Sequence, residues 1–152
     1  MDEPKVTQAR GTFSLTCKVE IAIQAAPDRI WALLTDAVGY PRWNSTVATM
    51  EGRIAEGQRL KLTAPGMDRV FTPKVSGVVT SQHMVWSDGF APMFKGVRSF
   101  ALKPTGSATA FAMEERFSGL MLPLIAGALP DFGPIFGRFA ADLKQEAERA
   151  AG

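Results

Sequence analysis

The sequence predicts an α+β domain: a curved, seven-stranded antiparallel sheet wrapped around a long C-terminal helix, with one or two short helices after the first strand. Three observations predict it. Residues 13–24, FSLTCKVEIAIQ, alternate apolar and polar side chains, the period of a half-buried strand. Six more β-patterned segments follow between Thr46 and Phe117 at hairpin distances, which is the spacing of antiparallel pairing. Phe132, Ile135, Phe136, Phe139 and Leu143 then recur every three or four residues, the stripe of an amphipathic helix. One long helix across one sheet is an α+β arrangement.

Taken in order, Leu15, Cys17, Val19, Ile21 and Ile23 share one face of the first strand. APDRIWALLTD follows as a short helix. Pro27 suits its first turn, Asp28 favours the positive end, and Ile30, Trp31, Leu33 and Leu34 have helical spacing. The six later strands are STVATMEGR, GQRLKLTA, DRVFTPKVSGVVT, QHMVWSD, FKGVRSFALK and SATAFAMEERF, separated by turn signals such as Pro65-Gly66, Asp88-Gly89 and Pro104-Thr105-Gly106. The prolines at 130 and 134 bracket the start of the last helix, which is expected to run to about Ala150. Residues 1–12 read as a flexible N-terminal segment and residues 13–152 as a single domain.

Composition narrows the class. A chain of 152 residues with 46% hydrophobic and 21% charged side chains suits one soluble globular domain. The polar N-terminus lacks an apolar h-region, so no secretory signal is expected. Gly119 to Leu129 is the most apolar stretch and is too short to span a bilayer, so no integral membrane segment is expected. A net charge of +2 with no basic stripe argues against nucleic acid. Cys17 is the only cysteine, expected to be a small buried hydrophobe, and the lack of disulfides agrees with a cytoplasmic location.

The segment DAVGYPRWNSTV carries more aromatic bulk than a connector needs. With the strand and helix before it, IAIQAAPDRIWALLTDAVGYPRWNSTV resembles the opening of the START-like, or SRPBCC, superfamily, which includes polyketide cyclases/dehydratases and relatives of the birch-pollen allergen. Its members commonly show Ala-Pro, Val/Ile-Trp, Thr-Asp and Tyr-Pro-x-Trp-Asn in this order. Here these are Ala26-Pro27, Ile30-Trp31, Thr35-Asp36 and Tyr40 to Asn44. The likeness continues through MVWSDG and FKGVRSFALKPTGSATAFAMEERFSGLMLPL to the terminal helix with DLKQEAE, covering Leu15 to Glu148. It implies a helix-grip fold, in which sheet and long helix enclose a cavity for apolar ligands. From the residues themselves, Tyr40 and Trp43 read as plugs at one end of the layer and Asn44 as a turn residue; direct ligand contact by Trp43 is the other reading.

Strand parity proposes the lining. In the hairpin of the last two strands, with Lys103 paired near Ala108, Arg98, Phe100, Leu102, Phe111, Met113, Glu115 and Phe117 share a face. That face is the bulkier and more apolar one and is assigned to the interior. It brings Arg98 and Glu115 inward as diagonal neighbours, either as a structural ion pair or as a pair in which Arg98 orients a carboxylate or enolate while Glu115 does acid/base work. Met84 and Trp86 share a face of the neighbouring strand, with Leu62 and Phe71 farther along. Leu120, Leu124, Leu129, Phe132, Phe136 and Phe139 are placed to close the pocket from the C-terminal side. Met67, Met84, Met93, Met113 and Met121 suggest an adaptable apolar lining, ordinary core packing being the alternative for each. APGMDR (64–69) and DGFAPMFKG (88–96) read as lids or as plain hairpin loops.

Other chemistry is missing from the sequence. His83, the single histidine, has the parity opposite to Met84 and Trp86 and is expected to face away from the interior. No metal-ligand spacing, nucleotide-binding glycine loop or nucleophile elbow occurs, so no metal or other cofactor is expected. The expected function is binding of an apolar or amphipathic small molecule, lipid-like or polyketide-like and aromatic. Two alternatives stand beside it: a cyclase, aromatase or dehydratase using Arg98 and Glu115, and a protein-interaction module presenting Phe90 to Phe94. Homodimerisation through an edge strand is left open.

Overall fold

The computed structural model of the chain describes residues 3–67 and 69–149. Asp68, in one expected lid and strand, and Ala150, the expected helix end, lie outside the described residues. The elements run β1 (Lys5–Arg10), β2 (Ser14–Ile23), α1 (Pro27–Leu34), α2 (Tyr40–Trp43), β3 (Thr49–Glu51), β4 (Lys61–Thr63), β5 (Val70–Phe71), β6 (Lys74–Val79), β7 (His83–Phe90), β8 (Phe94–Thr105) and β9 (Ala108–Ser118). The chain then passes through α3 (Leu122–Ile125) and one 3-10 turn into α4 (Phe132–Arg149). Six strands form one antiparallel sheet in the order β1-β2-β9-β8-β7-β6, and β3-β4-β5 form a second, small sheet. The α+β helix-grip expectation holds.

Two strands differ from the seven read in the sequence, for separate reasons. Residues 5–10, expected within a flexible leader, form edge strand β1, paired with β2 from Lys5↔Glu20 to Arg10↔Leu15. KVTQAR has no alternating apolar face; only Val6 packs on the core, and the backbone ladder with β2 holds the rest. The segment written as one strand, VFTPKVSGVV, divides at Thr72-Pro73. Proline has no N–H for a ladder, so β5 stays in the small sheet while β6 joins the large one. The Pro73 carbonyl still accepts from Leu60 N–H at 2.9 Å.

The core lies between the large sheet and α4. Phe136, Phe139, Ala140, Leu143 and Ala147 form the buried stripe of α4, in the three- and four-residue steps of the sequence pattern. The plug reading of the aromatic connector is supported. Tyr40 is fully buried, donates to Leu34 O at 2.7 Å and packs on Trp43, Trp86 and Phe139 at centroid distances of 5.0, 6.1 and 6.3 Å. The Asn44 side-chain oxygen accepts from Thr46 N–H and hydroxyl, closing the turn toward β3.

Candidate ligand-binding site

The last hairpin sets the interior. Leu102 opposes Phe111, Phe100 opposes Met113 and Arg98 opposes Glu115, so the register is shifted from the expected Lys103–Ala108 pairing to Lys103↔Ala110. The predicted parity survives because the shift is an even number of residues. Phe100, Leu102, Phe111, Met113 and Phe117 are all buried. Arg98 and Glu115 are therefore directly opposite rather than diagonal, and Arg98 Nε donates to Glu115 Oε1 at 2.7 Å.

That pair belongs to a row across four strands: Trp86, Arg98, Glu115 and Cys17. Apolar residues flank it: Met84, Phe100, Met113 and Val19 form the next inward row. The Arg98 guanidinium lies 5.0 Å from the centroid of the Phe136 ring, a cation–π contact from α4. Its side chain is 23% exposed and that of Glu115 14%, so the charges sit at the margin of the layer, not in its centre. Burial, with Asp131 and then Glu115 adding to it against the opposing Arg98, pushes the Cys17 thiol up to about 11, which leaves it protonated and unreactive at neutral pH.

One contributor escapes parity reasoning. Gly96 lies opposite Phe117, and a Cβ there would meet Glu115 Oε2 at 3.1 Å and the Phe117 ring at 3.3 Å. Glycine within a strand gives Glu115 its room. The signal in the sequence was a glycine inside a β pattern, which marks close approach without naming the neighbour.

The structure gathers most of the candidate residues. Trp43, Met84, Trp86, Phe100, Phe111, Met113 and Phe136 share one buried cluster, and Phe132 packs against it. Phe139 lies 6.2, 6.2 and 6.3 Å from the rings of Trp43, Phe100 and Phe111, so rings from helix, connector and sheet meet at the centre of the layer. Two surface depressions lie outside it. One, of about 300 Å³, is bordered by Glu20, Ala22 and Ala112; the other, of about 420 Å³, by Asp28, Ser81 and Lys103. Leu62 and Phe71 pair in the small sheet, and of the two only Leu62 packs against the cluster.

Leu124 departs from its expected place. It is 78% exposed, because Leu122, two residues earlier on α3, takes the buried side and roughly 200° of helical rotation carries Leu124 to the opposite one. Leu120 is likewise exposed. Of the methionines, Met84 and Met113 are buried whereas Met67 and Met93 are on the surface. His83 faces outward as parity predicted, its Nδ1 lying 3.1 Å from Gly77 O.

Two donors in the cluster have no protein acceptor among the described residues: the indole N–H groups of Trp43 and Trp86, both buried. No described group of three His, Cys, Asp or Glu side chains could hold a metal ion, and no described helix is long and apolar enough to cross a membrane.

A long amphipathic helix over an antiparallel sheet, with its short helices inserted after the second strand, defines the START-like class of α+β domains. The chain belongs to the family described as polyketide cyclase / dehydrase and lipid transport, whose sequence profile matches residues 14–148. No curated protein matches the chain by sequence. Among solved structures, it is similar to a START superfamily protein from Mycobacterium smegmatis at 18% identity, covering 89% of this chain and 98% of that one with a TM-score of 0.66. The Zhui aromatase/cyclase from Streptomyces sp. R1128 aligns at 14% identity over 91% and 96% of the two chains, TM-score 0.72. Norcoclaurine synthase from Thalictrum flavum, a point mutant in complex with a transition-state analogue, aligns at 15% identity over 97% and 100%, TM-score 0.69. At these identities the likeness is one of fold.

Proposed function

We propose that this protein binds an amphipathic small molecule, apolar in bulk and bearing oxygen acceptors, between the large sheet and α4. The observation that carries this reading is an aromatic interior in which the buried indole donors of Trp43 and Trp86 lack protein acceptors. A buried N–H left without a partner costs roughly 1–3 kcal/mol, which a carbonyl or hydroxyl oxygen of a ligand would recover. The family's description as polyketide cyclase / dehydrase and lipid transport supports the same ligand chemistry. Entry is at the Arg98 end, where Phe132 stacks on Phe117, meets Phe136 edge-on and, being half-buried, is the ring of the three freest to move aside.

Native mass spectrometry of the purified protein, followed by denaturing extraction, tests this. A discrete co-purifying oxygenated apolar mass is expected, with Trp86→Phe holding it more weakly because the ring stays and the donor is lost. Empty protein that shows no thermal shift with fatty acids, sterols or polyphenols counts against the reading.

The Arg98–Glu115 hydrogen bond favours a second reading, in which the bound molecule reacts. Arg98 would hold a developing enolate and Glu115 would move the proton, as cyclisation of a polyketide requires. The likeness to an aromatase/cyclase supports this choice of chemistry. Glu115→Gln that stays folded and loses turnover on a polyketide-like substrate supports it, and unchanged turnover removes Glu115 as proton carrier.

A further inference from the structure

Residues 117–130, FSGLMLPLIAGALP, contain no charged side chain. This strap links β9 to α4; Leu122 of its short helix α3 is buried, whereas Leu124 on α3 is 78% and Leu120 just before it 56% exposed. Backbone hydrogen bonds tie the strap to two other segments. Leu120 N–H and Met121 N–H donate to Pro92 O and Met93 O, each at 2.9 Å, and Gly119 N–H donates to Phe13 O at 3.1 Å. Gly119 is fixed by this contact: its φ is +136°, and a Cβ would overlap the Met93 carbonyl. Phe13, Phe90, Met93, Leu120 and Leu124 therefore protrude from three connected segments at one end of the molecule. They are five of the nine exposed large hydrophobic residues among those described.

Cations surround this end. Lys95 lies opposite Ser118, Arg116 opposite Val97, and Arg10 opposite Leu15, which itself opposes Phe117. None of the three belongs to an ion pair among the described residues. The nearby carboxylates are engaged by N–H donors of the chain itself, Asp88 by Thr72 and Gly89, Asp131 by Gln8 and Gly133. Glu114 lies two positions farther along β9, away from the strap.

We infer that this end docks onto an anionic lipid bilayer, the apolar tips entering the headgroup region while Lys95, Arg116 and Arg10 meet lipid phosphates. Protruding tips ringed by unpaired cations fit a deformable, negatively charged surface. A rigid protein face would need a matching groove, and neither the depression bordered by Glu20 nor the one bordered by Ser81 lies at this end. The inference stands apart from ligand binding, since it requires no occupant between sheet and helix.

Vesicle sedimentation tests it, comparing phosphatidylcholine alone with phosphatidylcholine mixed with phosphatidylglycerol. Wild-type protein is expected to pellet with the mixed vesicles and to be released by salt. Leu124→Glu and Phe90→Glu should each weaken binding by about tenfold or more, and Lys95→Gln by about fivefold. Both apolar positions are largely solvent-exposed, so unchanged thermal melts certify the fold of the variants. Wild-type protein that stays in the supernatant overturns the inference, as does binding indifferent to both Glu substitutions. A concentration-dependent dimer dissolved by those same substitutions also overturns it and assigns the patch to a second copy of the chain.

Discussion

The two ends of α4 are closed by different physics. At the C-terminal end, polar staples tie the helix to the connector and the sheet. Arg42 and Arg149 bind Glu146 at 2.9 and 2.8 Å, Ser45 N–H donates to Asp142 at 2.8 Å, and Gln24 N–H to Glu148 at 2.8 Å. Lys144 adds a hydrogen bond to Ala22 O at 2.9 Å. At the N-terminal end, Phe132 stacks on Phe117 at 4.9 Å, the polar tie from the sheet is the longer 3.4 Å bond from Gln8 to Asp131, and the ion pair there, Arg98–Glu115, joins two strands of the sheet to each other. Directional bonds hold one end in a single geometry, whereas apolar contacts tolerate sliding and repacking. This contrast is why the Arg98 end is the proposed entrance and the connector end the fixed floor.

Three substitutions and one acid titration probe that contrast. The largest effect is expected at the centre, where Phe139→Ala removes a ring touching Tyr40, Trp43, Phe100 and Phe111. A loss of about 3–5 kcal/mol in urea-unfolding free energy is expected. At the floor, Tyr40→Phe leaves the Leu34 carbonyl without its 2.7 Å donor. It should cost about 1–3 kcal/mol by the same measurement.

Acid provides a gentler test of the floor. Burial alone would raise the Glu146 carboxyl, but hydrogen bonds from Arg42 and Arg149 outweigh it and hold the group below its ordinary value; Lys144 and the Gln24 N–H do the same for Glu148. A carboxyl with a lowered folded-state pKa contributes stability that is complete above its unfolded value, near 4.3, and is lost as pH falls through the folded one. Hydrogen exchange followed through that range should show the C-terminal turns of α4 loosening before the hydrogen-bonded turn Phe136–Ala140. Simultaneous loosening of both ends would erase the distinction. The smallest effect belongs to the strap: Leu124→Ser should shift unfolding free energy by no more than about 0.5 kcal/mol, since the side chain is already in water. A larger loss would mean that Leu124 supports the core.

The hairpin shows how far parity reaches. Its inward set was readable because alternation is a property of each strand alone, and an even register shift leaves it intact. The direct opposition of Arg98 and Glu115 was not readable, since it depends on where the turn closes, at Thr105↔Ala108. Leu124 was misread because α3 is too short for its periodicity to identify the buried side, and contact with the rest of the fold decides it. The orphan indoles of Trp43 and Trp86 were invisible for a similar reason: tryptophan announces burial, but only its neighbours determine whether its N–H is satisfied.

Local pattern is enough for the order of elements, the faces of β2, β8 and β9, the buried stripe of α4 and the polar row's two charges. These follow from periods of two and 3.6 and from turn residues, all of which are local. Long-range contacts instead fix that residues 5–10 add an edge strand, that Pro73 parts two sheets, that Gly96 makes room for Glu115, and that the strap buries Leu122 while turning Leu120 and Leu124 to solvent. Each of those depends on a partner distant in sequence, and no local pattern carries the identity of that partner.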